Sequence, residues 1–351
     1  MTFENIIKTI PEWLNADGPE SEIVISSRAR LARNLSGITY PHRAEKKELD
    51  EVVERIIDAS HLAGLNANNF FRNDVLDEID KNIFIERHLM SPFLASKEGA
   101  RGVLVMNGEK TSILINEEDH LRLQSIHSGF DPVLVLKDVD EIESRISKFI
   151  RFAFSKKYGF LTSCPTNFGT GLRISVLIHL PALVITKDIQ NVIRSAEQLG
   201  FAVRGYYGEG SDVIGNLFQI SNQRSLGKSS QEIVKTIISV VSDIIDYEKK
   251  SAETLSTDAK KQLEDKVWRS IGILKSARML STHEFMNYCS AARLGLYLGM
   301  IEKKYLRLFN ELIILTQPGH LQERFGRNSD AAERDVIRAD IIRERFVDLK
   351  I

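Results

Sequence analysis

The chain is short of cysteine, of net charge and of long apolar runs. Its 351 residues hold two cysteines, Cys164 and Cys289, and neither belongs to a CxxC pair. No disulfide framework can be built from them, and a cytoplasmic, reducing setting is expected. The formal net charge is −1, so no overall basic field draws the chain to nucleic acid. No apolar run nears the roughly 20 residues needed to cross a bilayer, so no membrane partner is expected. The opening residues, MTFENIIKTIPEWLNADG, lack a basic region followed by a long apolar core, and no secretory leader is expected. There is no internal repeat and no low-complexity tract. Gly169-Thr170-Gly171 is neither a Walker A loop nor the dinucleotide fingerprint, because the residues those loops require are missing. His120 and His127 have no third ligand at metal spacing, so no metal held by side chains is expected and both histidines read as structural. What remains is 43% hydrophobic and 27% charged, a globular composition with a good core and room for two domains or one large one.

The most telling stretch is Asn116-Glu117-Glu118-Asp119-His120-Leu121-Arg122, three acids directly behind the apolar run Ser112-Ile113-Leu114-Ile115. Before it, Val103-Leu104-Val105-Met106, Asn107-Gly108 and Glu109 to Ile115 read as a hairpin closed by a two-residue type I′ turn. The acids therefore emerge at a strand end, where a sheet can aim them.

In chain order, residues 1–20 read as a short amphipathic helix stopped by Pro11, and Ile23-Val24-Ile25 as a strand running into Ser26-Ser27-Arg28-Ala29-Arg30. Residues 45–62 carry one apolar helical stripe. Phe84-Ile85 before Glu86-Arg87-His88 reads as a strand-to-loop junction, and 133–157 as a helix stopped at Gly159. Strands are expected at Phe160–Thr162, at Ile174–Leu180, at Phe201–Val203 with Arg204 at its end, and at Gly215–Ile220, with a helix over 186–199. Ser229 with Glu232, and Ser281 with Glu284, have capping-box spacing. From about 255 onward only helical periodicity is found. The expected class is α+β: a catalytic domain over 1–254 with a partly antiparallel sheet, then a helical domain over 255–351.

Five arginines fall at strand ends: Arg28, Arg30, Arg122, Arg173 and Arg204. Such a group repels itself unless an anion holds it together, and the guanidinium fork matches phosphate oxygens. A triphosphate with magnesium is the anion expected. Glu118 and Glu209 would stand beside it. One carboxylate suffices to activate a hydroxyl acceptor. Two suit a guanidinium, whose pKa above about 12 makes its nitrogen a poor nucleophile until a proton leaves. A carboxylate pair can grip that planar group, align one nitrogen with the γ-phosphorus and take up its proton.

SSRARLARN, NEEDHLR, LTSCPTNFGTGLR, and RGYYGEG followed by GNLFQISNQRSLG resemble the phosphagen (ATP:guanidino) kinases over about residues 21–250, and the whole chain resembles their bacterial protein-arginine kinase branch. The resemblance implies an antiparallel sheet flanked by helices, similar to glutamine synthetase, followed by an all-α C-terminal domain. It implies ATP binding along Ser26, Ser27, Arg28, Ala29, Arg30, His88, Arg122, Arg173, Ile174, Ser175, Val176, Leu177, Arg204, Gly205, Tyr206, Tyr207, Gly208 and Glu209. Glu118 would be the main base, Glu209 the second carboxylate and Cys164 the reactive cysteine beside the acceptor. Magnesium would be held by nucleotide oxygens and water. The small-molecule kinases place roughly a hundred residues of helical domain ahead of the first arginine motif, which here begins at Ser26. An acceptor side left open in this way suits an arginine that is part of a protein.

In the C-terminal part, Arg334-Asp335-Val336-Ile337-Arg338-Ala339 resembles the motif with which this branch binds phosphoarginine allosterically. By itself the same stretch reads as a charged helix face. The resemblance further implies protein substrates including a heat-shock repressor, a zinc-binding activator protein, a Clp-type ATPase/protease that takes up the marked proteins, and a homodimer or larger assembly. Two other readings stand beside it: a kinase of free arginine or another small guanidine, and a non-catalytic adaptor that binds phosphoarginine.

Overall fold

The computed structural model describes residues 3–206 and 213–347. Its strands are β1 (Val24–Arg33), β2 (Phe70–Arg72), β3 (Gly102–Met106), β4 (Thr111–Ile115), β5 (Leu121–Ser128), β6 (Phe154–Ser155), β7 (Gly159–Phe160), β8 (Leu172–His179), β9 (Phe201–Arg204) and β10 (Leu217–Asn222). Its helices are α1 (Phe3–Lys8), α2 (Lys46–Leu62), α3 (Glu78–Glu86), α4 (Pro92–Ala95), α5 (Pro132–Ile146), α6 (Pro181–Ile185), α7 (Ile189–Gln198), α8 (Ser230–Asp258), α9 (Lys260–Ser276), α10 (Thr282–Tyr297), α11 (Leu306–Leu315), α12 (Pro318–Phe325) and α13 (Ala331–Arg345). The described strands make one sheet in the order β2-β3-β4-β5-β1-β8-β10-β9, and a separate β6-β7 hairpin. Every neighbouring pair is antiparallel.

Alternation along the strands sorts the side chains onto two faces. One face is apolar: Ala29, Leu31, Leu121, Leu123, Leu172, Ile174, Val176, Phe218 and Ile220 pack with α2, α5 and α8 through Val52, Ile56, Val139, Ile142, Ile237 and Val241. The other face is divided. Near β3 and β4, Val103, Val105 and Leu114 pack under Phe84, Leu89 and Leu94. Elsewhere Ile25, Ile126, Leu177 and Leu217 pack against the C-terminal helices through Val267, Ile271, Phe285 and Phe309. Between these two apolar patches the same face carries arginines. Burying them under a third patch would strand unpaired charge, which is costly.

Several local expectations are corrected. The Asn107-Gly108 turn is not a two-residue one. Asn107, Gly108 and Glu109 all have positive φ, at 51°, 61° and 71°, in a three-residue 3-10 turn. The extra residue turns Glu109 inward to the Arg87 guanidinium, with Nε to Oε2 at 2.8 Å, both groups being buried. Glu86-Arg87-His88 is the end of helix α3, not of a strand, and α3 starts from an Asp77/Asp80 capping box. Glu86 accepts from the Gly319 and His320 amides at 2.7 and 3.1 Å and so ties α3 to α12.

The helix expected over 133–157 ends at Ile146. Phe152, Phe154 and Phe160 then alternate as a strand pattern does, and β6 pairs with β7 around Gly159, whose φ is 73°. The apolar run after His179 yields α6, opened by Pro181 at its first turn. Both serine capping boxes are present, Ser229 with Glu232 and Ser281 with Glu284. Helix α8 continues to Asp258, breaks at Ala259 (φ −131°), and α9 follows.

Candidate active site

The register brings the arginines together. Arg30 lies opposite Arg173 across β1 and β8, and Arg28 opposite Ser175. Arg122 lies opposite Ala32, and Arg204 opposite Gln219. All line one cavity of about 820 Å³ with Glu117, Glu118, His88, Cys164, Gln124 and Gln219. Arg28 Nε donates to Ser175 Oγ at 3.3 Å and Arg173 Nη2 to Ser221 Oγ at 2.9 Å. Arg30 has no hydrogen bond or ion pair among the described residues.

The electrostatics are those of a site short of negative charge. Burial, then Arg173 and Arg122, lowers the Arg28 guanidinium to about 10. Arg30 is pushed well below the usual arginine range by burial first, then by Arg28, Arg122 and Arg173. At Arg122 burial also opposes the charge, yet Glu117 and Glu118 outweigh it and hold its pKa above the usual value. A polyanion entering here would relieve the repulsion and fill the unused donors. Among the described residues, no group of three or more His, Cys, Asp or Glu side chains is placed to hold a metal ion.

The acidic turn between β4 and β5 gives each acid a separate task. Asn116 takes φ 56° and its side-chain amide donates to Leu49 O and Ala100 O at 2.9 and 2.8 Å, fixing the turn. Asp119 is buried and accepts from Asn34 Nδ2 and the Ser163 amide, both at 2.6 Å. Glu117 is buried against Arg122 Nη1 at 2.5 Å and accepts from Ser91 Oγ. Glu118 is the half-exposed one; its Oε2 lies 3.1 Å from Arg122 Nη2 and its backbone carbonyl accepts from Ser163 Oγ at 2.6 Å. Burial raises the Glu118 carboxyl above the ordinary range, against the pull of Arg122. His120 is a strut: Nδ1 accepts from the Leu35 amide at 3.0 Å and Nε2 meets Thr39 O at 3.0 Å. His127 pairs with Asp138 at 2.6 Å.

His88 closes the opposite wall at φ 59°, its ring between Trp13 (5.4 Å) and Tyr206 (5.2 Å). Burial, then Arg28 and Arg30, lowers it to about 3, so the ring is neutral. Its Nε2 is buried with no hydrogen-bond partner in the described structure. Cys164 lines the cavity with Sγ 3.0 Å from Thr166 Oγ1.

Other residues of the expected nucleotide stretch fall elsewhere. Ala29, Ile174 and Val176 point into the core on the far face. Ser27 does too, donating to Gly129 O at 2.9 Å and accepting from the Asp131 amide at 3.0 Å. Ser26 is buried at the β1 bulge, Leu177 and Tyr206 belong to the core beneath the C-terminal helices, and Gly205 is buried at the end of β9. Tyr207, Gly208 and Glu209 lie outside the described residues.

Sequence reasoning missed Gln219, Gln223 and Arg224, which also line the cavity. Their signal was available: Gln219, Ser221 and Gln223 continue the alternation of β10 within the quoted QISNQR segment.

Arg334, Asp335, Val336, Ile337, Arg338 and Ala339 lie in the first half of α13. Arg338 is buried and donates to Thr316 O (2.9 Å), Leu280 O (2.6 Å), Asp335 Oδ1 (2.6 Å) and Thr282 Oγ1 (2.8 Å). Arg334 Nη1 reaches Ser329 O at 2.6 Å. Asp335 and Arg338 are thus brought together, while Arg334 is turned to the preceding loop.

Residues 48–251 match the model of the ATP:guanido phosphotransferase C-terminal catalytic domain. Residues 260–350 match that of the protein-arginine kinase McsB C-terminal domain. The chain is 41% identical over 350 residues to the protein-arginine kinase of Bacillus subtilis (strain 168), covering 99% of this chain and 96% of that one. It is 43% identical over 350 residues to the protein-arginine kinase of Geobacillus sp. (strain WCH70), covering 99% and 97%. Among solved structures, the duplicated taurocyamine kinase of Schistosoma mansoni with bound transition-state-analogue components matches with a TM-score of 0.59 at 26% identity, over 71% of this chain and 36% of that one. Lombricine kinase matches with a TM-score of 0.57 at 25% identity, over 75% and 78%. Fold and site together define a guanidino phosphotransferase, a kinase of the phosphagen type. The chain belongs to the ATP:guanido phosphotransferase family, on its protein-arginine kinase branch.

Proposed function

We propose that the chain is a protein-arginine kinase, which moves the γ-phosphoryl group of ATP to an arginine side chain of a protein. The observation that carries this reading is the convergence of Arg28, Arg30, Arg122 and Arg173 on one cavity with Glu118 at its rim. The arginines, Arg204 included, would hold the nucleotide phosphates, and the buried, neutral His88 would stand near the base. Magnesium, carried on phosphate oxygens and water, would supply further neutralisation of the transferring group.

Glu118 would accept a proton from the acceptor guanidinium as one of its nitrogens forms the N–P bond. The bond from the γ-phosphorus to its bridging oxygen breaks, and ADP leaves with that electron pair. Arg122, already paired with Glu118, links the base to the phosphate site, so that most of the catalysis is positioning and charge neutralisation. Glu209 would grip the guanidinium from the other side, and Cys164 would lie beside it.

The relatives that share nearly the full length are protein-arginine kinases, and this supports a protein acceptor over free arginine. The wider setting is proposed on the same grounds: phosphoarginine marks proteins for a Clp-type ATPase/protease and silences a heat-shock repressor. A zinc-binding activator assists, the chain pairs as a homodimer or larger, and the setting is the cytoplasm. Among the described residues no helix is long and apolar enough to cross a membrane.

The test is incubation with ATP and either free arginine or an arginine-bearing protein, read by mass spectrometry at neutral pH because the P–N bond is acid-labile. Phosphoarginine in protein is expected. Turnover of the free amino acid alone would refute the reading.

A further inference from the structure

The β6-β7 hairpin has no part in the chemistry above. From Ser144 to Lys187 the chain contains no aspartate or glutamate. On the hairpin and the segment leading to it, Lys148, Arg151, Lys156 and Lys157 are exposed. So are large apolar side chains: Phe149 is 48%, Phe154 59% and Tyr158 42% exposed. The patch is anchored. The Arg33 guanidinium stacks 3.5 Å from the centre of the Phe160 ring, and Phe154 stands edge-on to that ring at 5.3 Å. Tyr158 lies 6.3 Å from Phe168. A cluster of exposed aromatics on an anchored support marks a docking surface rather than scattered surface residues.

Its place in the fold says what docks there. The Phe160 amide donates to Gly169 O at 2.9 Å and the Leu161 amide to Ala153 O at 2.9 Å, so the hairpin is tied to the loop running from Thr162 to Gly171. That loop lines the cavity through Cys164, Thr166, Asn167 and Gly171, and its Ser163 is hydrogen-bonded to the Glu118 carbonyl. Phe160 is three residues from Ser163, roughly 10 Å of extended chain at about 3.3 Å per residue. A peptide with its arginine at Glu118 would therefore pass the patch with residues about three to five positions from that arginine.

We propose that the hairpin is an exosite for the acceptor protein, which takes a segment carrying acidic and apolar side chains a few residues from the target arginine. This deepens the protein-arginine kinase reading and rests on it. The occupant follows from charge complementarity. Four cations on a stretch of chain that has no acid, with the neighbouring Glu143 already engaged by Arg33 at 3.2 Å, attract carboxylates and repel an arginine- or lysine-rich flank. Each exposed pair is weak alone, but two such pairs with a buried aromatic contact amount to about a tenfold preference.

The experiment compares two peptides with one arginine each, flanked at three to five residues by Glu and Phe or by Lys and Ser. Wild type is set beside Lys156→Glu/Lys157→Glu and Phe154→Ser, all at exposed positions. Wild type is expected to favour the acidic peptide about tenfold in kcat/KM, mainly through KM, and less so at high salt. The double variant should reverse the preference and Phe154→Ser should weaken it, with the KM for ATP unchanged.

Equal use of both peptides by wild type, or an equal loss on both in the variants, would overturn the exosite and leave the protein kinase standing. If wild type modified free arginine but neither peptides nor proteins, the kinase reading itself would fall and the exosite with it. If the variants lost self-association in sedimentation while peptide selectivity held, the patch would be a contact between copies, which also overturns the proposal.

Discussion

Glu118 and Arg122, four residues apart across the turn into β5, meet at 3.1 Å between Oε2 and Nη2. The pair joins the two halves of the site, because Arg122 faces the cationic cavity while Glu118 sits at its rim. Glu117 holds Arg122 from the other side at 2.5 Å, so the arginine keeps its place when Glu118 is changed.

Glu118→Gln should therefore reduce phosphoryl transfer by about 10²- to 10⁴-fold, the usual range for losing a general base. ATP affinity should change by less than about threefold. The pH profile gives a second reading. Burial raises the Glu118 carboxyl, and the base works only when ionised. Activity should be full above that raised pKa and fall as the pH drops through it, with the acid limb of kcat/KM above the ordinary glutamate range. A profile flat down to the ordinary range, or loss of ATP binding with turnover intact, would show that Glu118 has another task.

Arg30 is the cation with the least local support. Without a nucleotide it adds buried like-charge repulsion, so Arg30→Met should leave the melting temperature of the free protein unchanged or higher. In return, ATP affinity should fall roughly ten- to a hundredfold, the scale of a lost charge-assisted phosphate contact. Thermal shift with and without Mg-ATP reads both effects together. Destabilisation of the free protein with undiminished ATP response would mean that Arg30 is structural.

Glu248 tests the fold apart from the site. It is buried on α8 and accepts from the Ala182 and Leu183 amides at 2.8 and 3.0 Å, and burial pushes it up to about 7 from the ordinary 4.5. Between those values the folded state binds more protons than the unfolded one, so this group makes stability fall as pH rises from 4.5 to 7. At about 1.4 kcal/mol per tenfold change in proton affinity this is roughly 3 kcal/mol. Glu248→Gln should flatten the pH dependence of stability in that window. An unchanged slope in denaturant titrations at pH 5 and pH 7.5 would contradict it.

The C-terminal motif calls for two different substitutions. Arg338→Ala would orphan the Thr316 and Leu280 carbonyls and the partner oxygen of Asp335, and should cost about 3 kcal/mol or more. Among the described residues Arg334 reaches only Ser329 O, and it is half-buried. Arg334→Ala should keep the melting temperature within a few degrees while weakening phosphoarginine binding, measured by calorimetry. Unchanged binding in Arg334→Ala would remove the allosteric site from this stretch.

Much of the site was legible because strand alternation is local. Arg28 and Arg30, two apart on β1, had to share a face, and the capping boxes at Ser229 and Ser281 needed only three residues each. What could not be read depended on distant partners. The sequence shows three acids in a row, but Glu118 is left at the rim because Asn34 and Ser163 occupy Asp119 and Ser91 occupies Glu117. The facing of Arg30 and Arg173 is a register between strands more than a hundred residues apart. Residues 147–157 read as a continuation of the helix because Phe149 and Phe152 fit a helical stripe locally, while the pairing of Leu35 with Phe152 that extends them is not local. His88 lines the cavity from the end of a helix rather than of a strand, and its neighbours Trp13 and Tyr206 come from both sides of the chain.

The most direct test is a crystal structure of the protein with Mg-ADP, nitrate in place of the transferring phosphoryl group, and an arginine-containing peptide. The account predicts both phosphates and the nitrate among Arg28, Arg30, Arg122, Arg173 and Arg204, with Glu118 within about 3 Å of the acceptor guanidinium, at hydrogen-bond distance. Nucleotide phosphates bound elsewhere, or a guanidinium out of reach of Glu118 with the nitrate in place, would contradict it.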